Sequence, residues 1–160
     1  MDSLGVKNPG NTQGLTPLHV AATGGHLQLC NVILDKLQSQ PTEFYGTALL
    51  NPFDHEGCTP LHLAAWESQT SVCELHIHCE AIMKSISEKN PSNNLTPLHF
   101  AARDGHTSVC EAIVKNINEK NPSNNWGDTP LHWAAMMGHT SIWEAIIKIS
   151  LKKTRLTIWD

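Results

Sequence analysis

The sequence has few of the features that mark nucleic-acid-binding, membrane and secreted proteins. Its 160 residues carry 11 Lys and Arg against 15 Asp and Glu, so no basic excess is present to neutralise phosphate groups. No segment approaches the roughly 18 consecutive apolar residues that a membrane-spanning helix needs, and the first residues show no basic segment followed by an apolar stretch. We therefore expect no nucleic-acid partner, no membrane partner and no secretion.

Cysteine is present, but not in a pattern that indicates disulfide bonds. The five cysteines are an odd number and lie at helix-like and loop positions: Cys30, Cys58, Cys73, Cys79 and Cys110. Reduced thiols are typical of a reducing compartment, and they predict an intracellular, cytoplasmic protein. The length suffices for one domain with a sizeable core and leaves little room for a second.

One motif, Thr-Pro-Leu-His, occurs four times and organises the chain. It begins at Thr16, Thr59, Thr96 and Thr129, at intervals of 43, 37 and 33 residues. Ala-Ala follows each His after one residue, Asn-Pro precedes each copy, and Gly-His stands eight residues past the Pro in three copies. This self-similarity predicts a single repeat domain over 8–160, with units at about 8–50, 51–89, 90–120 and 121–153, an extension at 1–7 and a tail at 154–160.

Each mark of the motif has a physical role in a pair of helices. Thr can cap a helix that Pro begins, because Pro at the first helical position gives up only an N–H that had no partner. Ala-Ala gives a narrow helix face, and Gly ends the short first helix in a left-handed conformation. A second, apolar-striped helix follows until the next Asn-Pro, and a glycine two places before the next Thr indicates a tight hairpin.

A helix, a turn, an antiparallel helix and a hairpin repeated near 33 residues resemble the ankyrin-repeat family over about residues 8 to 151. The resemblance implies an all-α solenoid of stacked antiparallel helix pairs with projecting β-hairpin loops. It also implies a non-enzymatic scaffold without cofactors, which binds a protein partner through the hairpin tips and the exposed ends of the first helices.

Transferring those positions onto each Thr-Pro gives the predicted partner-binding residues. They are His55, Glu56, Trp66, Glu67, Arg103, Asp104, Trp126, Asp128, Met136 and Met137. Trp and Arg supply much of the energy of binding hot spots, and Met adapts to irregular surfaces. The alternative is that Trp66 or Met136 folds back on a neighbouring helix.

The units are not identical, and their departures lead to three structural expectations. Surplus residues around 38–49 indicate a loop. Six further residues, 74–79, fall inside the second helix of the second unit, where Val72, Leu75, Cys79, Ile82 and Ile86 could keep one stripe of a lengthened helix buried. The third unit lacks two residues before its Thr-Pro, including the glycine, which predicts a blunter tip at Asn93-Asn94.

The ten histidines invite a metal or catalytic interpretation, but seven of them belong to the repeat and are expected to be structural. The remaining cluster places Cys73, His76 and either Cys79 or Glu80 at helical spacing on one face, where they could hold zinc. No second ligand pair lies nearby, and no nucleophile or phosphate-loop motif occurs. A metal- or redox-responsive variant using Cys73, His76 and Cys79 is therefore the alternative function, and no enzymatic activity is expected.

The terminal units lack the polar substitutions that usually cover the ends of a repeat array. The first motif is as apolar as the inner ones, and Trp143 stands where earlier units have Cys30 and Cys110. The tail, with Leu156 and Trp159, offers a makeshift lid for the last unit. Without such a lid, the uncapped ends predict self-association.

Overall fold

The computed structural model describes residues 9–39, 50–79 and 86–156, with side chains up to Leu151. Eight α-helices lie in these ranges, two per unit: α1 Pro17–Thr23, α2 Leu27–Gln38, α3 Pro60–Trp66, α4 Thr70–His78, α5 Pro97–Asp104, α6 Thr107–Asn116, α7 Pro130–Met137 and α8 Thr140–Leu156. The described residues contain no strand, so turns stand where β-hairpins were expected. The predicted all-α architecture is confirmed.

The first helices form one layer and the second helices form another. Along the array α1 contacts α3, α3 contacts α5, and α5 contacts α7, while α2, α4, α6 and α8 pack in the same order. The core between the layers repeats one set of side chains, among them Leu18, Leu61, Leu98, Cys30, Cys73 and Cys110. The buried pairs Ala21-Ala22, Ala64-Ala65 and Ala101-Ala102 give the narrow faces that let first helices stack.

Each first helix begins as the motif predicts. The Thr backbone is extended, Pro follows at the first helical position, and the Thr backbone N–H donates to Nδ1 of the motif histidine three residues on. The Thr hydroxyl also lies 2.8 to 2.9 Å from the same Nδ1. The motif is therefore a local lock that fixes the ring of the histidine.

The motif histidine also joins its unit to the next one. Because Nδ1 accepts the Thr N–H, the ring proton lies on Nε2, which donates to a backbone carbonyl of the following turn. These bonds run from His19 to Cys58 at 3.1 Å, from His62 to Leu95 at 3.0 Å and from His99 to Asp128 at 3.2 Å. Burial lowers the pKa of His62 and of His99 to about 4, so the neutral, bridging form is favoured.

A second bridge runs in the opposite direction. It joins the start of the second helix of one unit to the end of the first helix of the preceding unit. His106 Nε2 donates to the Trp66 carbonyl at 2.7 Å, and His139 Nε2 donates to the Arg103 carbonyl at 3.0 Å. In the second unit, which lacks the Gly-His pair, the Gln69 amide makes the equivalent bond at 3.2 Å. Gln69 therefore preserves this bridge in the unit that has no histidine at that position.

The second helix of the second unit is not lengthened, and that expectation is wrong. α4 ends at His78, and Cys79 already has extended backbone angles. His76 and Ile77 are buried where α6 buries Ile113 and Val114, so α4 keeps the register of α6 with no insertion up to His78. Leu75 and Cys79 are only partly buried, Ile86 is buried, and Ile82 lies outside the described residues. Residues 40–49 of the earlier surplus also lie outside the described residues, and α2 extends to Gln38, where that surplus begins.

The turn of the third unit is longer, not blunter. The other turns close between Asn11, Asp54 or Asn124 and the residue four places later, whereas Asn90 bonds to the Leu95 carbonyl five places later. Asn94 takes the positive φ that glycine has elsewhere. In the other units the turn begins three residues after the Asn of the Asn-Pro pair, whereas in the third unit Asn90 of that pair begins the turn. The residues that the third unit lacks are therefore those between Asn-Pro and the turn.

The two end flanks expose apolar side chains. Leu29 and Val32 are half-exposed on the first unit, and Trp143 is half-exposed on the last. α8 continues through Leu156, so Thr154 to Leu156 extend the helix and do not fold back as a lid. Residues 157–160 of the predicted tail lie outside the described residues.

Candidate functional site

The last turn of each first helix places equivalent residues in one row along the array. The row consists of Thr23, Trp66, Arg103 and Met136. Short helices fix this row, because each begins at the same Thr-Pro lock and ends seven or eight residues later. The row therefore runs along the ends of the first helices in the four helix pairs of the described residues.

Trp66, Phe100, Arg103 and Trp133 form a continuous group across three units, which we call the aromatic–arginine cluster. The Trp66 and Phe100 rings are stacked, with centroids 5.3 Å apart. Arg103 Cζ lies 4.7 Å from the Trp66 centroid, 5.5 Å from that of Phe100 and 6.0 Å from that of Trp133. Trp66 thus packs on the neighbouring unit, as the alternative interpretation held, yet 39% of its surface stays exposed.

The arginine of this cluster is held by its neighbour in the chain. Arg103 Nε and Nη2 donate to the two carboxylate oxygens of Asp104 at 2.9 and 2.7 Å. The hydrogen bonds to Asp104 raise the pKa of the guanidinium above its usual value. This two-point pairing presents a guanidinium of fixed orientation on a partly exposed aromatic surface.

The fourth unit contributes the most exposed apolar side chains of the candidate site. Trp126 at its turn is 70% exposed, Met136 is 73% exposed and Met137 is half-exposed. Met136 therefore does not fold back on its neighbour. Asp128 is partly buried and its carbonyl accepts the bond from His99.

A cleft of about 250 Å³ lies between the first and second units. Its lining residues are Gln13, Leu15, Thr23, Asp54, Glu56, Leu63, Trp66 and Glu67. Three of the predicted binding residues, Glu56, Trp66 and Glu67, therefore face one cavity. His55 lies beside it, with its backbone N–H bonded to the Gln13 carbonyl at 3.0 Å.

Leu63, Phe100 and Trp133 belong to the same surface but are not among the binding residues that the sequence predicted. They occupy one position of the repeat, between the motif His and Ala-Ala, where the first unit has Val20. A residue at that position lies one helical turn before the row that ends each first helix. The sequence signal for these residues is that one variable position, within an otherwise constant motif, carries a larger side chain in each successive unit.

The described residues do not bring together the ligands of the alternative function. No group of three or more His, Cys, Asp or Glu that could hold a metal ion occurs among them. Cys73 and His76 are buried in the core, whereas Cys79 follows the end of α4 and its Sγ accepts a bond from Gln38. Burial also raises the pKa of the Cys73 thiol to about 12, which disfavours a reactive thiolate.

Comparison with protein families gives a match over most of the chain. A family model for ankyrin repeats, in three copies, matches residues 3–85 and 72–155. No curated protein matches the chain. None of the helices in the described ranges has the length and hydrophobicity that a membrane crossing requires. Ankyrin repeats are in general modules that bind other proteins and are typically not enzymes. The family match and the stacked helix pairs together show that this chain belongs to the ankyrin-repeat family.

Proposed function

We propose that this chain is a non-enzymatic scaffold that binds a protein partner through its turns and first-helix ends. The binding residues are His55, Glu56, Trp66, Glu67, Arg103, Asp104, Trp126, Asp128, Met136 and Met137, with Phe100 and Trp133 added. The observation that carries the proposal is the exposure of Trp126, Met136 and Met137 beside the aromatic–arginine cluster.

Physical chemistry supports this choice of surface. Large apolar side chains left in water on one surface mark interaction sites, and Trp, Arg and Met are enriched in the centres of interfaces. Arg103 needs no reorganisation on binding, because Asp104 already holds its guanidinium. The guanidinium of the surface is thus preformed.

The compartment proposed is the cytoplasm. All five cysteines are free and four of them are buried, which suits a reducing environment. The partner is proposed to be a protein rather than a nucleic acid, since the net charge is −4.

The test is affinity capture from an extract of the source cells with three tagged forms of the whole chain. They are the wild type, a Trp126→Ala Met136→Ser double variant, and Leu151→Ser as the control. Leu151 is an exposed apolar residue of α8, a second helix, whereas the proposed surface consists of turns and first-helix ends. We expect one set of proteins with wild type and control, and its loss with the double variant at unchanged circular dichroism. Equal capture by all three forms would contradict the proposal.

A further inference from the structure

The cleft between the first two units combines an apolar floor with an acidic rim. Leu15, Leu63 and Trp66 supply apolar surface, while Asp54, Glu56 and Glu67 supply three carboxylates. We propose that this cleft binds one arginine side chain of the protein partner. The inference rests on the proposed protein-binding function and adds the chemistry of the bound segment.

The size of the cleft favours a single long side chain. Its volume of about 250 Å³ lies below the roughly 300–1,000 Å³ of clefts that hold drug-sized ligands. An arginine fits such a space well, since its three methylene groups cover apolar surface while its guanidinium stays at the polar rim.

The charges of the lining select a cation. None of the described lining residues is Lys, Arg or His, so no cation among them balances the three carboxylates. Asp54 is partly committed, because its Oδ1 accepts the backbone N–H groups of Glu56 and Cys58. Glu56 and Glu67 are both exposed, one in the turn and one at the C-terminal end of α3. A guanidinium has donors on several nitrogens and so can pair with either of these two carboxylates or with both.

The molecule itself shows how this chemistry holds an arginine. One unit further along, Arg103 lies over Trp66 and Phe100 and is paired with Asp104. By repeat position, the cleft has Leu63 where the next unit has Phe100, and Glu67 where it has Asp104. Trp66 stands at the position of Arg103 itself, and the small Thr23 stands at the position of Trp66. The first unit contributes only Thr23 to this row, which leaves room for a side chain from outside.

Two other occupants are disfavoured by the same geometry. An apolar ligand would remove water from the carboxylates without replacing their hydrogen bonds, and this carries a large free-energy cost. A metal ion needs several carboxylates gathered around one point, and the described residues contain no such group. A planar cation with several donors can instead reach separated acceptors.

The test uses small probes, so that it does not depend on knowing the partner. Two-dimensional ¹H–¹⁵N spectra of the whole chain are recorded while N-acetyl-arginine amide or N-acetyl-norleucine amide is added. A Trp66→Phe variant assigns the indole signal of Trp66. We expect saturable shifts of that indole and of the Gln13 and Glu67 amides with the arginine probe only.

A charge-removed variant and a matched control complete the test. Glu56→Gln with Glu67→Gln should weaken binding of the arginine probe roughly fivefold, because each exposed charge pair contributes modestly. Glu144→Gln, at an exposed acid of α8, should leave it unchanged. Equal shifts with both probes, no shifts, or the same affinity in all variants would overturn the inference. Loss of extract capture by the Trp126→Ala Met136→Ser variant would in that case still support the proposed function.

Discussion

A histidine lies in the core of the second unit where the other units have isoleucine. His76 is buried on α4, and the equivalent residues are Ile33, Ile113 and Ile146. Its Nδ1 bonds to the Val72 carbonyl at 2.9 Å, but its Nε2 has no partner among the described residues. A buried polar atom without a partner destabilises a fold by about 1–3 kcal/mol.

We therefore predict that His76→Ile stabilises the chain. The free energy of unfolding should rise by about 1–2 kcal/mol, because an apolar side chain replaces an unpaired polar group in the same core position. Urea denaturation measures the change. His78→Ile, at an exposed position of the same helix, is the control and should alter stability little. A stability loss in the first variant would show that Nε2 has a partner that the described residues do not supply.

The Thr-His lock gives a second prediction at the level of single residues. Thr96→Val removes the hydroxyl that lies 2.9 Å from His99 Nδ1 in a buried site, and should lower stability by about 1 kcal/mol. The same change at Thr129 should cost less, since that lock is exposed and water can replace the hydroxyl. Unfolding midpoints compare the two variants. Equal effects would mean that burial does not determine the strength of the lock.

At the scale of whole elements, the bridge from second helix to preceding first helix can be tested in the irregular unit. Gln69→Ala removes the bond to the Thr23 carbonyl and should destabilise the chain by about 1 kcal/mol. Gln69→His should keep stability near the wild type, because His106 and His139 make that bond in later units. If both variants lost stability equally, glutamine would have a role beyond the bridge.

Helix starts were predictable because a short motif sets them by local chemistry. Thr-Pro-Leu-His contains its own cap, first residue and ring partner, so no distant contact is needed to place α1, α3, α5 and α7. The end of α4 was not predictable in this way. The predicted stripe ran through Val72, Leu75 and Cys79 and left His76 outside the core, whereas the structure buries His76 and Ile77.

The candidate surface was predictable only in part, for a similar reason. The positions of Trp66 and Arg103 on the surface follow from their distance along the sequence from the Thr-Pro of their unit. The stacking of Trp66 on Phe100, and the position of Arg103 over both rings, depend on how far one unit is shifted on the next. That geometry is set by packing between units, so no local sequence motif determines it.

At the scale of the whole molecule, the buried histidines predict acid sensitivity. His62 and His99 have pKa values of about 4 in the folded chain, because burial disfavours the charged ring, against 6.5 as the ordinary value. Between these values the unfolded chain binds more protons, so the free energy of unfolding falls as pH decreases from about 6.5 toward 4. Urea midpoints at about pH 7.5, 6 and 5 should decline. His99→Gln should reduce the slope, and His132→Gln, at an exposed site, should not.

The end flanks predict a head-to-tail mode of self-association for the 160-residue chain. Val72, Val109 and Ile142 are buried, whereas the equivalent Leu29 of the first unit is half-exposed. Trp143 is likewise half-exposed at a position where the earlier units bury Cys73 and Cys110. Each flank therefore exposes an apolar side chain at a position that inner units bury, and the two flanks use different positions of the repeat. Contacts between unlike faces generate chains of molecules rather than closed pairs.

Sedimentation velocity across a concentration range should show species growing beyond dimers for the wild type. Leu29→Ser and Trp143→Ser should each remain monomeric, because each removes one of the two flanks. A mixture of the two variants should form dimers and nothing larger, since each variant keeps the flank that the other has lost. Dimers in either variant alone would show that like flanks pair with each other, and a monomeric wild type would show that the exposed flanks do not associate at all.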